Sequence, residues 1–171
     1  MVVYQLGLGV RIACGVIWTK TGTGSNLAVM QFNRYPGYDG PLQVSGPIRI
    51  MTASGTETSA SQTPSWSLEG LDTACRAGAA EDISSGCGIH VHSGTSCENA
   101  ADVGGHFFSA ALEADPWKPV VYVADPDGVA VQEATVATGL SSADITARVM
   151  VVHELNSGKR IAYGLIERQP R

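Results

Sequence analysis

Apolar and polar positions along this chain fall into short runs rich in Val, Ile and Thr, separated by Gly, Ser, Asp and Pro, with no long stretch of helical period. Such a pattern belongs to an all-β sandwich or barrel, where alternate side chains of each strand face opposite sides of a sheet. It predicts eight strands, over residues 10–18, 27–33, 42–51, 87–92, 119–124, 130–138, 148–154 and 160–167. Asp125-Pro126-Asp127-Gly128 has the turn chemistry of a hairpin connection between two of them. The stretch 52–67 is polar and rich in Ser and Thr, and is expected to be a mobile surface excursion. The stretch 99–117, which holds His106 and Asp115-Pro116-Trp117, is expected to lie over strand 87–92.

The chain has 171 residues, a length for one domain that buries roughly 70% of its unfolded surface. A net charge of −5, with no basic cluster beyond Lys159-Arg160, argues against nucleic acid or an anionic membrane as partner. No apolar run reaches the length of a membrane span. The first residues are apolar but carry Arg11 and lack a basic start and a small-residue cleavage site, as expected of a mature fragment. Four cysteines suit disulfides in an oxidising compartment, and no Cys-x-x-Cys is present. Three pairings are open to them; Cys75 with Cys87 would close a local loop and anchor the strand that follows.

All four histidines draw attention as a set. His90 and His92, in Cys87-Gly88-Ile89-His90-Val91-His92, would project from one face of a strand, while His106 stands in a Gly-Gly-His motif and His153 in Val-Val-His-Glu. Imidazole is the usual protein ligand for copper, zinc, iron and nickel, and an all-nitrogen, roughly planar set favours copper(II). Glu133, Asp144 and Glu154 read as solvated surface groups, and Trp66, Phe107 and Trp117 as packing residues, Trp117 being placed to wall a metal pocket.

The two ends of the chain resemble each other. VVYQLGLGVRIACGVI at 2–17 matches VVHELNSGKRIAYGLI at 151–166 at one constant offset, with Tyr4 standing where the later copy has His153. A period of domain size suggests a tandem array. Residues 1–18 are then a terminal strand resembling the end of a preceding repeat and packed on the barrel, residues 19–171 are the domain proper, and neighbouring repeats of the same chain are partners.

GIHVH, GGHFF, ADPDGVA, RVMVVHE and KRIAYG, taken in order with GPLQVSGPI before them, resemble the copper/zinc superoxide dismutase family across most of one domain. The resemblance implies an eight-stranded antiparallel Greek-key barrel, one copper held by His90, His92, His106 and His153, Arg160 at the mouth, and superoxide as substrate. Two departures are plain. The stretch 107–122 has no histidine for the family's zinc site, and the long charged loop after the fourth copper ligand is reduced to Leu155-Asn156-Ser157-Gly158-Lys159. Both are similar to the copper-only branch, with its extracellular proteins built of repeated dismutase-like domains, so the expectation is copper without zinc in a secreted or cell-surface protein. The family's cysteine beside the arginine is Tyr163 here, while Cys14 takes that place in the N-terminal copy, which implies Cys97 paired with Cys14.

Within that reading, Arg160 would attract and hold the superoxide anion. His106 would leave the metal and take a proton on reduction, and without zinc on its other nitrogen it needs another orienting partner, for which Asp115 is the candidate. Asp115 has a second possible role, capping the turn at Pro116. The competing expectations are a structural or adhesive extracellular module and a copper-sequestering or copper-delivering domain without turnover.

Overall fold

A computed structural model of the chain describes residues 27–78 and 83–170, together with the backbone of two short strands before them, β1 (Val2–Tyr4) and β2 (Arg11–Cys14). Beyond these, two antiparallel sheets form the body. One runs in the order β4 (Asn33–Arg34), β10 (Arg160–Leu165), β9 (Val149–His153), β7 (Ile89–His92). The other runs β11 (Glu167–Arg168), β3 (Leu27–Val29), β5 (Ile48–Ala53), β6 (Ser61–Leu68), β8 (Ala130–Glu133). The all-β class therefore holds.

A closed barrel does not form. At one edge the two sheets are stitched together, because the segments containing β3–β4 and β10–β11 each pass from one sheet to the other while remaining antiparallel neighbours. Glu167 pairs with Ala28 in one sheet and Ala162 with Arg34 in the other. At the opposite edge no strand pair joins β7 to β8 among the described residues, so the sheets stay open there. Between them lies the core, with Ile48, Trp66, Leu68, Ile89, Val91 and Ile161 almost wholly buried. Burying such side chains contributes roughly 1.5–3 kcal/mol each relative to exposure, which is what drives the sheets together.

Several expectations along the chain need correction, among them strand 27–33, which is divided into β3 and β4 in different sheets, and strand 130–138, of which β8 covers only Ala130–Glu133. The stretch 52–67 is no mobile excursion: it supplies most of β6, which pairs with β5 from Ala53↔Ser61 to Ile48↔Trp66 and with β8 on its other side. Its alternation is real, since Gln62, Pro64, Trp66 and Leu68 are all buried, but a glutamine and a proline occupy two of the inward positions. Gln62 is satisfied there, its Nε2 donating to the Leu140 carbonyl at 2.6 Å and its Oε1 accepting from the Thr138 hydroxyl. The stretch 119–124 forms only one bridge, Gly88↔Val121, because its amides are shared between different partners: Tyr122 donates to Cys87 and Ala124 to Cys75. The predicted strand 42–51 begins only at Ile48, beyond Gly46, which has φ of 105°, and Pro47. The turn at Asp125–Gly128 does form, with the Asp125 carboxylate accepting from the amides of Asp127 and Val129, each at 2.9 Å.

At the N-terminus, β1 and β2 pair as Val2↔Cys14, Val3↔Ala13 and Tyr4↔Arg11. Strands β9 and β10 pair as Val151↔Tyr163, Val152↔Ala162 and His153↔Arg160. The two hairpins thus share one register, with the irregularity at the same step, in the segments whose sequences resemble each other. How residues 1–18 pack on the rest lies outside the described residues.

Candidate metal centre

Strand β7 places His90 and His92 on one side and Ile89 and Val91 on the other, and all four are buried. Both faces are dry because the following loop covers the outer one. Its amides and carbonyls run along the free edge of β7: Phe107 donates to the Val91 carbonyl at 2.8 Å, Ile89 donates to the Val120 carbonyl at 3.3 Å, and His92 and His106 form a bridge. His153 arrives from the neighbouring strand β9, its own carbonyl accepting from the Tyr122 hydroxyl at 2.8 Å. One ring nitrogen from each of His90, His92, His106 and His153 lies within 4.8 Å of the others.

Each imidazole uses its other nitrogen to fix its orientation. His90 Nε2 bonds the Val120 carbonyl at 3.1 Å, His92 Nδ1 the Gly104 carbonyl at 3.0 Å and His153 Nδ1 the Gly158 carbonyl at 2.7 Å. His106 Nδ1 lies 2.6 Å from Asp115 Oδ2. Since carbonyls only accept, the outer nitrogens of His90, His92 and His153 carry the protons and their inner nitrogens hold lone pairs. Those inner nitrogens, His90 Nδ1, His92 Nε2 and His153 Nε2, are buried without any hydrogen-bond partner. A buried polar atom left so is costly, and three convergent ones beside a fourth ring are the expected signature of ligands aimed at a metal ion.

Electrostatics favour the same state. Burial pushes His90 down to about 2, reinforced by the neighbouring His106, His153 and His92. It pushes His92 to about 3 and His153 to about 4, the bonds to Gly104 and Gly158 opposing the shift, while Arg160 and His106 add to it in both. Near neutral pH these three rings are uncharged and able to ligate.

Several small residues make the arrangement possible. Gly104 and Gly158, whose carbonyls anchor His92 and His153, have φ of 69° and 62°, the left-handed region that glycine enters without strain. A Cβ on Gly88 would collide with the His90 ring. The sequence signals for these are the glycines flanking each histidine motif, but which carbonyls they aim is visible only in three dimensions.

Asp115 combines both roles expected of it. Oδ2 meets His106 while Oδ1 accepts from the Trp117 amide at 2.9 Å, so the turn at Pro116 holds the carboxylate in place. Trp117 is fully buried, donates from Nε1 to the Phe107 carbonyl at 2.8 Å, and stands 6.4 Å from His90, ring centre to ring centre. Arg160 lies opposite His153 in the β9–β10 register, and its guanidinium donates to the Tyr35 hydroxyl and the Gly104 carbonyl, both at 2.7 Å. Tyr35 has no local signal in the sequence; its contact with Arg160 depends on the antiparallel passage of both segments between the sheets.

Cys75 and Cys87 form a disulfide, S–S 2.05 Å, which ties the loop before β7 to the residue that enters it. Cys97 is buried and has no disulfide partner among the described residues, and its thiol is pushed up to about 11 by burial and by nearby Asp102. Its expected pairing with Cys14 lies outside the described residues, since Cys14 is described only by its backbone. Among the described residues no helix is long and apolar enough to cross a membrane.

Comparison with protein-family models and with curated protein sequences finds no match to the chain.

Proposed function

We propose that this chain is a copper-only superoxide dismutase-like domain, converting superoxide to oxygen and hydrogen peroxide in an extracellular repeat protein. The observation that carries the reading is the set of inward, unpartnered imidazole nitrogens, each with its opposite nitrogen fixed, next to an arginine. Four imidazoles suit copper among the transition metals, and the Greek-key arrangement of the family is the fold expected for such a sandwich. Asp115 engages His106 Nδ1, so that nitrogen is not free to bind a second metal, which supports copper without zinc. The Cys75–Cys87 disulfide supports an oxidising, extracellular setting.

His90, His92, His106 and His153 would hold the copper, which would supply one-electron chemistry, superoxide giving up an electron to leave as oxygen in one half and taking an electron and two protons to leave as hydrogen peroxide in the other. The chain's own contribution is positional. Arg160, permanently cationic, attracts the anion and holds it by N–H donation beside the four rings. Asp115 holds His106 at Nδ1 and so fixes the orientation of its ring beside the other three. The negative net charge gives weak long-range attraction for the substrate, so the local field of Arg160 carries more of the work.

The test is metal analysis after copper loading, with a dismutation assay on the same sample. About one copper per chain with turnover supports the enzyme; His153→Ala then weakens copper binding by at least tenfold, and Arg160→Ala keeps the metal but loses rate. Stoichiometric copper without turnover points instead to sequestration or delivery. A chain that binds no metal favours a structural or adhesive module, a reading that draws support from the repeated hairpin register with Tyr4 at the histidine position.

A further inference from the structure

We infer that Tyr35 is the positioning residue for Arg160, joining the guanidinium and the loop beside it into one rigid unit; this rests on the reading of Arg160 as the group that holds the anion. Tyr35 directly follows β4 and is only 7% exposed. Its amide donates to the carbonyl of Ile161, the residue after Arg160, at 3.0 Å, so its backbone is already fastened to β10. The hydroxyl then works in both directions, donating to the Ala100 carbonyl at 3.1 Å and accepting from Arg160 Nη1 at 2.7 Å. The guanidinium carbon stands 5.5 Å from the centre of the Tyr35 ring, adding a cation–π contact.

The other terminal nitrogen, Nη2, donates to the Gly104 carbonyl, which also accepts from His92 Nδ1. Ala100 opens a 3-10 turn, Ala100–Val103, and Gly104 caps it. Tyr35 therefore grips the start of this turn directly and its end through Arg160, and the end it grips is the acceptor that orients a metal-binding ring. Burial of the aromatic ring explains why the position is apolar but not why it carries a hydroxyl. A guanidinium has five N–H donors, and this clamp engages one on each terminal nitrogen, leaving the rest to meet an anion. A side chain held in this way loses less freedom when the anion binds, which is the advantage of preorganisation.

The experiment uses the whole chain and Tyr35→Phe, which keeps the ring and removes the hydroxyl. In isotope-labelled, metal-free protein, exchange of the two Arg160 terminal nitrogens by rotation about the Cζ–Nε bond should be several-fold faster in Tyr35→Phe than in the parent. In copper-loaded protein, the dissociation constant for azide, read optically, should rise about fivefold, as expected when one side chain must be immobilised on binding instead of beforehand. Combining Tyr35→Phe with Arg160→Ala should weaken azide no further than Arg160→Ala alone, because the tyrosine acts through the arginine. Unchanged rotation in Tyr35→Phe, or additive effects on azide in the double variant, overturns the role assigned to Tyr35. Azide affinity indifferent to Arg160→Ala overturns the anion-binding reading instead, and the rotation measurement in metal-free protein separates the two failures.

Discussion

At the scale of single residues, the centre is organised by what stands behind each imidazole. Asp115 differs from the backbone acceptors because it brings a charge and can be removed by mutation. Asp115→Ala should leave the other three histidines in place while His106 loses its orienting partner, lowering copper affinity by about 10- to 100-fold; competition with a chromophoric chelator measures it. The histidines and Asp115 were legible in the sequence because their chemistry is carried by residue type and their order is distinctive. The carbonyls of Val120, Gly104 and Gly158 were not, since every residue has a carbonyl and only φ and ψ decide where it points. Tyr35 escaped for a related reason: it is 125 residues from Arg160 and meets it through the fold alone.

At the scale of elements, β6 is the instructive case. Its composition suggests a loop, but the chain alternates, and the sheet accepts a buried amide where an apolar side chain is usual. The price is dependence on Gln62, which links β6 to the carbonyl of Leu140 and the hydroxyl of Thr138. Gln62→Leu should fill the space yet strand both partners, destabilising the fold by about 1–3 kcal/mol, seen as a lower midpoint in urea unfolding with copper stoichiometry unchanged. The strand bearing His90 and His92 was readable because apolar residues and histidines alternate in it without exception. The stretch 119–124 misled by its β-branched content, since strand propensity cannot show that its amides are claimed by separate partners.

At the scale of the whole molecule, the buried histidines couple the fold to pH. In the unfolded chain they titrate near 6.5, whereas the folded, metal-free protein holds His90, His92 and His153 at about 2, 3 and 4. As pH falls below 6.5 the unfolded chain therefore takes up protons that the folded one refuses, and stability falls. Each such ring contributes a slope of up to about 1.4 kcal/mol per pH unit, with His153 levelling off first as pH passes its folded value. Thermal melts of the metal-free protein should show a midpoint that drops between about pH 7 and about pH 5; a constant or rising midpoint would contradict the assignment. The class of the fold was legible from strand spacing, while the open edge between β7 and β8 was not, because closure depends on where loops lie. The hairpin register shared by β1–β2 and β9–β10 bears on how such a molecule diversifies. His153 is paired with Arg160 in the backbone register of one hairpin, as Tyr4 is with Arg11 in that of the other. Phenol in place of imidazole at that position leaves the register of the hairpin's backbone pairing unaltered.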